Sequence, residues 1–104
     1  MQRYRVEITK VAESDINEIF RYIAADNAST ADNFITELEK QIDSLEHYPL
    51  RCPIIQESQE LGKEYRHIIY GRYRTFFRVD GSSVIIMRVI HGARLLSTNI
   101  FETK

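Results

Sequence analysis

Six arginines and two histidines fall within residues 65–94, "YRHIIYGRYRTFFRVDGSSVIIMRVIHGAR", a stretch without a single lysine. A guanidinium grips carboxylates or phosphates through paired N–H donors, and it tolerates partial burial better than a lysine ammonium. It is too basic to exchange protons readily, so any acid–base chemistry here rests on His67 and His91. Cys52 is the sole cysteine. It gives no disulfide framework, and without a neighbouring base it reads as a plain loop thiol. Phosphate-cradling glycine loops, paired metal-ligand spacings and serine nucleophile elbows are all missing from the sequence. The expectation is no cofactor and no metal.

The charge is lopsided. The formal net charge is −1, but residues 1–64 carry seven Lys/Arg against thirteen Asp/Glu, whereas residues 65–94 carry six Arg against Asp80 alone. Such a basic third suits a polyanion or an acidic protein segment. The 104 residues fit one domain, 1–104, with a modest core. No apolar run is long enough for a membrane span, and the N-terminus does not read as a signal peptide. The lone cysteine fits a cytoplasmic location.

The elements that must position these residues follow from periodicity. "RYRVEIT" (3–9) alternates as a half-buried strand. Ala12, Ile16, Ile19, Phe20 and Ile23 mark a helix over about 12–25, with Asp15 and Glu18 on its other face. Ser29 and Asp32 resemble a capping box. Beyond them Ala31, Phe34, Ile35, Leu38, Ile42 and Leu45 define a second helix, which Pro49 is expected to stop. Residues 49–64 read as an irregular loop. Strands follow at about 65–70, 72–79 and 83–90, with a hairpin turn at Asp80-Gly81. The fold class is α+β, a two-layer β-α-α-β-β-β chain with the helical hairpin on one face of a mainly antiparallel sheet.

A two-residue turn at Asp80-Gly81 pairs Phe77 with Val84 and Phe76 with Ile85. Phe77, Val79, Val84, Ile86 and Ile90 then face the helices. Arg74, Phe76, Arg78, Ile85, Met87 and Val89 form an open, mixed face that suits a partner. In this register Arg88 falls on the apolar side, an inconsistency that points to an error in the register. Leu95, Leu96, Ile100 and Phe101 make the tail 95–104 apolar enough to pack on the domain or on a partner.

The order β-α-α-β-β-β, "ESDINEIFRYIA" (13–24), "YRTFFRV" (73–79) before a DG hairpin, and "RVIHGAR" (88–94) together resemble the RelE/ParE superfamily of bacterial type II toxins, over roughly residues 4–94. The ParE branch is favoured. The resemblance implies a small cytoplasmic toxin that binds an antitoxin as a hetero-oligomer, with no membrane partner. ParE-like members inhibit DNA gyrase without a hydrolytic site. RelE-like members cut mRNA on the ribosome, with lysines where this chain has Arg66, His67 and Ile68, and arginines matching Arg74 and Arg94.

Cutting RNA at a 2′-hydroxyl needs a base, an acid and cations for the phosphorane. If the chain were a metal-independent endoribonuclease, Arg74, His91 and Arg94 would be its catalytic set. The missing lysines, and the absence of any tyrosine after Tyr73, favour the gyrase reading. A third possibility is a degenerate member that only binds antitoxin. The expected target- or antitoxin-binding residues are Arg66, Arg74, Phe76, Arg78, Met87 and Arg94. Structural roles compete with these. His91 could bond backbone groups at a strand end, and Arg94 could neutralise Glu18.

Overall fold

The computed structural model describes residues 2–94, 96, 100 and 101. Strand β1 (Arg5–Ile8) leads into helices α1 (Lys10–Ala24) and α2 (Ala28–Asp43). Two short 3-10 turns, Ser44–Glu46 and Pro49–Arg51, and a single-turn helix α3 (Ser58–Leu61) follow. Strands β2 (Arg66–Tyr70), β3 (Tyr73–Asp80) and β4 (Ser83–His91) complete one sheet of order β1-β4-β3-β2. β1 runs parallel to β4, because the helical hairpin carries the chain across one face, and the other pairings are antiparallel. This is the expected α+β architecture. Among the described residues no helix is long and apolar enough to cross a membrane.

The helix boundaries differ from the sequence reading for local reasons. Thr9 caps α1: its Oγ1 accepts from the Ala12 amide at 3.2 Å and donates to the Ile86 carbonyl at 2.9 Å. One hydroxyl thereby starts the helix and ties it to β4. Asn27, not Ser29, caps α2, with its Oδ1 accepting from the Thr30 amide at 2.9 Å. Pro49 does not end α2, which stops at Asp43; Pro49 opens the second 3-10 turn instead. There its missing N–H costs nothing.

Two apolar clusters flank the sheet. Ala12, Ile16, Ile19, Leu38, Ile42 and Leu45 from the helical layer pack against Phe77, Val84, Ile86 and Val89. On the other side Phe76, Met87 and Ile90 meet Ile55 and Tyr65, together with Ile100 and Phe101 of the tail. The sheet face expected to be open is therefore covered by the chain itself, and Phe76 and Met87 are buried. Of the tail, Leu96, Ile100 and Phe101 lie in this cluster, with the Phe101 ring tilted against Tyr65 at a centroid distance of 4.3 Å; Leu95 lies outside the described residues.

The strand register also departs from expectation. The turn residues are Gly81 and Ser82, so Asp80 pairs with Ser83 and Phe77 with Ile86. Of these two turn residues Gly81 has positive φ, +60°, and Ser82 does not, the type II′ arrangement with glycine at the first central position. Between the pairs Phe77–Ile86 and Phe76–Arg88, Met87 is an extra residue on β4. This β-bulge reverses the alternation beyond it. Val89 faces the helices and Ile90 the opposite side, the reverse of the sequence reading.

Asp15 is a further correction. It lies 7% exposed, not on a solvent face. Its carboxylate accepts from Arg88 Nε at 2.7 Å and Nη2 at 2.9 Å, and from the Val89 amide at 3.0 Å. That pairing accounts for Arg88, which no simple register could place.

Candidate interaction site around the arginine-bearing strands

Cross-strand neighbours decide what each arginine meets. Arg74 sits opposite Ile69, and Phe76 opposite His67, on the loop-covered face. Arg74 Nε donates to His67 Nδ1 at 2.9 Å. Its guanidinium lies 4.5 Å over the Phe76 ring, a cation–π contact, and Nη1 stands 4.0 Å from Glu57 Oε2. Arg74 is thus held from three sides and only 16% exposed. Burial, and after it the neighbouring Arg74 charge, push the His67 pKa below the usual histidine value, with Glu57 opposing. The ring is neutral at pH 7, and its bare nitrogen is already occupied by Arg74.

Arg78 finds Asp80 Oδ2 at 3.5 Å, farther along its own strand. Arg66 donates to the Cys52 carbonyl at 2.6 Å and more loosely to that of Leu50 at 3.4 Å, fastening the loop to β2. Cys52 itself is buried in the helix-side core, where burial raises its thiol pKa against the lowering by Arg51 and Arg66. It is a packed thiol, not an exposed nucleophile. Among the described residues no group of three or more His, Cys, Asp or Glu could hold a metal ion.

His91 and Arg94 lie at the end of β4. His91 pairs with Tyr73 and meets its ring edge-on at 5.7 Å. Its Nδ1 accepts from the Ala93 amide at 3.1 Å, the backbone role weighed for it. The Gly92 amide donates to the Arg72 carbonyl at 2.7 Å. A Cβ at Gly92 would stand 3.4 Å from that carbonyl and from the Arg74 stem, at the edge of ordinary van der Waals contact, so the site is close-packed but neither contact nor φ requires glycine there. Arg94 is exposed and, among the described residues, has no carboxylate within 4.0 Å, Glu18 included. Together with Glu18, Ile19, Tyr22, Tyr73 and His91 it lines a cleft of about 230 Å³ between α1 and the sheet.

The sequence-derived trio Arg74, His91 and Arg94 is therefore divided. Arg74, opposite Ile90, is on one face of the sheet; His91, one residue later and beyond the bulge, is on the other. Phe76 and Met87 are core residues. The partners that sequence reasoning missed are Glu57 and Asp15. Nothing in a loop sequence marks Glu57, but Asp15 stands in the series Ala12, Asp15, Ile16, Ile19, whose i, i+3, i+4, i+7 spacing marks one buried helix face.

The sequence profile of the family described as "ParE toxin of type II toxin-antitoxin system, parDE" matches residues 6–96. The chain belongs to this ParE toxin family. Its fold is similar to that in the chromosomal ParDE system from Pseudomonas aeruginosa: TM-score 0.68 at 18% identity, covering 86% of this chain and 96% of that one. It is also similar to the RelBE2 toxin–antitoxin complex from Mycobacterium tuberculosis: TM-score 0.59 at 26% identity, covering 90% and 97%. No curated protein sequence matches the chain. Within the ParE family fold, the arginines of β3 are spent on intramolecular contacts, and Arg94 projects from the end of β4 into solvent.

Proposed function

We propose that this chain is the toxin of a type II toxin–antitoxin pair, that it acts by binding and inhibiting DNA gyrase, and that an antitoxin neutralises it. Family membership supports the toxin role. The observation that favours gyrase over mRNA is the separation of Arg74 and His91 onto opposite sheet faces. A phosphodiester-cleaving site needs its cation and its proton carrier around the same phosphate. Arg74 is engaged by His67, Glu57 and Phe76, which leaves Arg94 as the accessible cation on the His91 turn.

A second reading has one observation of its own. The 2.9 Å contact between His67 and Arg74 brings an acid–base group, where ribonuclease members of the superfamily carry lysines, to a cation at a position where they carry arginine. Inducing the chain in bacterial cells separates the two. Gyrase inhibition produces filamentation and a DNA-damage response while protein synthesis continues, and the purified chain blocks supercoiling in vitro. Immediate translational arrest with cut mRNA and an unaffected supercoiling assay would replace this reading with the ribonuclease one.

A further inference from the structure

The face expected to receive a partner is filled by Ile55, Tyr65, Ile100 and Phe101. Exposed apolar groups occur instead along the outer edge of β2, where Leu50, Ile54 and Ile69 are 46%, 45% and 56% exposed. Ile54 forms a lone bridge with Arg66 on that edge. Next to it a shallow depression of about 420 Å³ is lined by Arg51, Pro53, His67, Ile68 and Ile69.

The charges beside this edge are unmatched. Arg51 donates to the carbonyls of His47 at 2.6 Å and Tyr48 at 3.1 Å, and to the Ser44 hydroxyl at 3.0 Å. Arg66 likewise donates to carbonyls alone. Neither has a carboxylate within 4.0 Å among the described residues, unlike Arg74, Arg78 and Arg88. The backbone edge is partly open as well. The His67 amide points outward to the Pro53 carbonyl, so by alternation the Ile69 amide points outward too. Among the described residues the Ile69 amide has no backbone acceptor beyond the sheet.

We infer that the outer edge of β2, with Leu50, Ile54, Ile69, Arg51 and Arg66, is the seat for an acidic, apolar, extended segment of the antitoxin. An apolar side chain enters the depression beside Ile69, carboxylates on either side pair with Arg51 and Arg66, and one carbonyl takes the Ile69 amide. Phosphates would match the arginines but not the exposed Leu50, Ile54 and Ile69; an acidic peptide with apolar side chains matches both. This rests on the reading of the chain as an antitoxin-neutralised toxin.

The test is calorimetric titration of the full chain with the protein encoded by its adjacent reading frame. The variants are Ile54→Glu/Ile69→Glu, Ile69→Ser, and a control, Ile8→Glu, at a residue 40% exposed on β1, the opposite edge of the sheet. The glutamates place charge against an apolar partner beside unwelcome carboxylates. Expected are a loss of about ten-fold or more for the double variant, about three-fold or more for Ile69→Ser, and parental affinity for the control. If the parent binds but Ile69→Ser and the double variant bind as tightly, the antitoxin docks elsewhere and the inference falls while the toxin reading stands. If the double variant unfolds, Ile69→Ser alone decides by the same criterion. A parent that does not bind the adjacent protein at all removes the antitoxin reading and this inference together. A parent dimer that Ile69→Ser dissociates, with antitoxin affinity unchanged, assigns the edge to a second copy and overturns the inference.

Discussion

Arg88 and Asp15 clamp β4 to α1: two guanidinium nitrogens reach the two carboxylate oxygens at 2.7 and 2.9 Å, and one of those oxygens also takes the Val89 amide at 3.0 Å. The hydrogen bond to Asp15 raises the Arg88 pKa, against the lowering by burial. Removing the carboxylate leaves a part-buried cation with only the Ile100 carbonyl, at 3.2 Å, and a buried Val89 amide without a partner. Asp15→Ala is expected to cost about 3–5 kcal/mol by urea unfolding. Arg88→Met, which keeps the stem's packing, should also destabilise, because Asp15 then stays buried as an uncompensated charge. A loss under 1 kcal/mol for Asp15→Ala would mean that the clamp is dispensable.

His67 makes stability depend on pH. Its folded pKa lies below the unfolded value near 6.5, chiefly through burial and then through Arg74. Below about pH 6.5 the unfolded chain takes up the proton before the folded one does. The stabilising contribution is thus complete above the unfolded pKa and is lost as pH falls toward the folded pKa. Urea midpoints at pH 5 and 7.5 should show a smaller acid loss in His67→Gln, whose amide oxygen can still accept from Arg74, than in the parent. Equal losses would remove His67 as the source.

Much of this organisation was legible in the sequence, and what was not has local causes. The β-α-α-β-β-β order followed from changes of period, and the two-sided apolar pattern of β3 was visible in Phe76 and Phe77. The bulge at Met87 was not, because Ile85, Ile86, Met87, Val89 and Ile90 suit either face. Unbroken alternation would carry Met87, Val89 and His91 to the face of Arg74. One inserted residue sends Val89 and His91 to the other, and with them the proton carrier of the candidate site. Glu57 could not be placed because the fold of its loop, not its spacing, brings it to Arg74.

Met87 shows the consequence for mutagenesis. It looked like a docking residue of an open face, but it is 6% exposed in the cluster with Tyr65, Phe76 and Phe101. A buried, unpaired carboxylate there should cost about 3 kcal/mol or more. Met87→Glu should therefore fail first in thermal melting, and any loss of partner binding should disappear for molecules that remain folded. A variant with the parental melting temperature would show that the loop and tail do not seal this face.

Tyr48 carries strain that substitution can relieve. Its φ is +47°, the sole positive value at a non-glycine residue among the described residues. The side chain is 65% exposed, so little packing offsets the left-handed backbone, which costs an L-residue about 1–2 kcal/mol. Glycine removes that cost and gives part of it back through the entropy of the unfolded chain. Tyr48→Gly should raise stability by about 0.5–1 kcal/mol, a melting shift of a few degrees. A fall of that size would show that the ring's contacts outweigh the strain.

Arg94 separates fold from toxicity. It is exposed, at the turn where its amide bonds the His91 carbonyl at 3.0 Å, and its side chain lines the cleft with Glu18 and Tyr22. An exposed arginine without a carboxylate partner contributes little to stability, so Arg94→Ala should leave the melting temperature within about 2 °C of the parent. If this cation contacts the target, the same variant loses growth inhibition on induction while still binding antitoxin at the β2 edge, which lies on a different part of the molecule. Arg94→Lys then reads out geometry: an ammonium keeps the charge but not the paired donors, so partial toxicity indicates charge alone and none indicates bidentate recognition. Full toxicity of Arg94→Ala would take Arg94 out of the site. A melting temperature that drops with toxicity would make it a structural residue, its stem packing against the cleft.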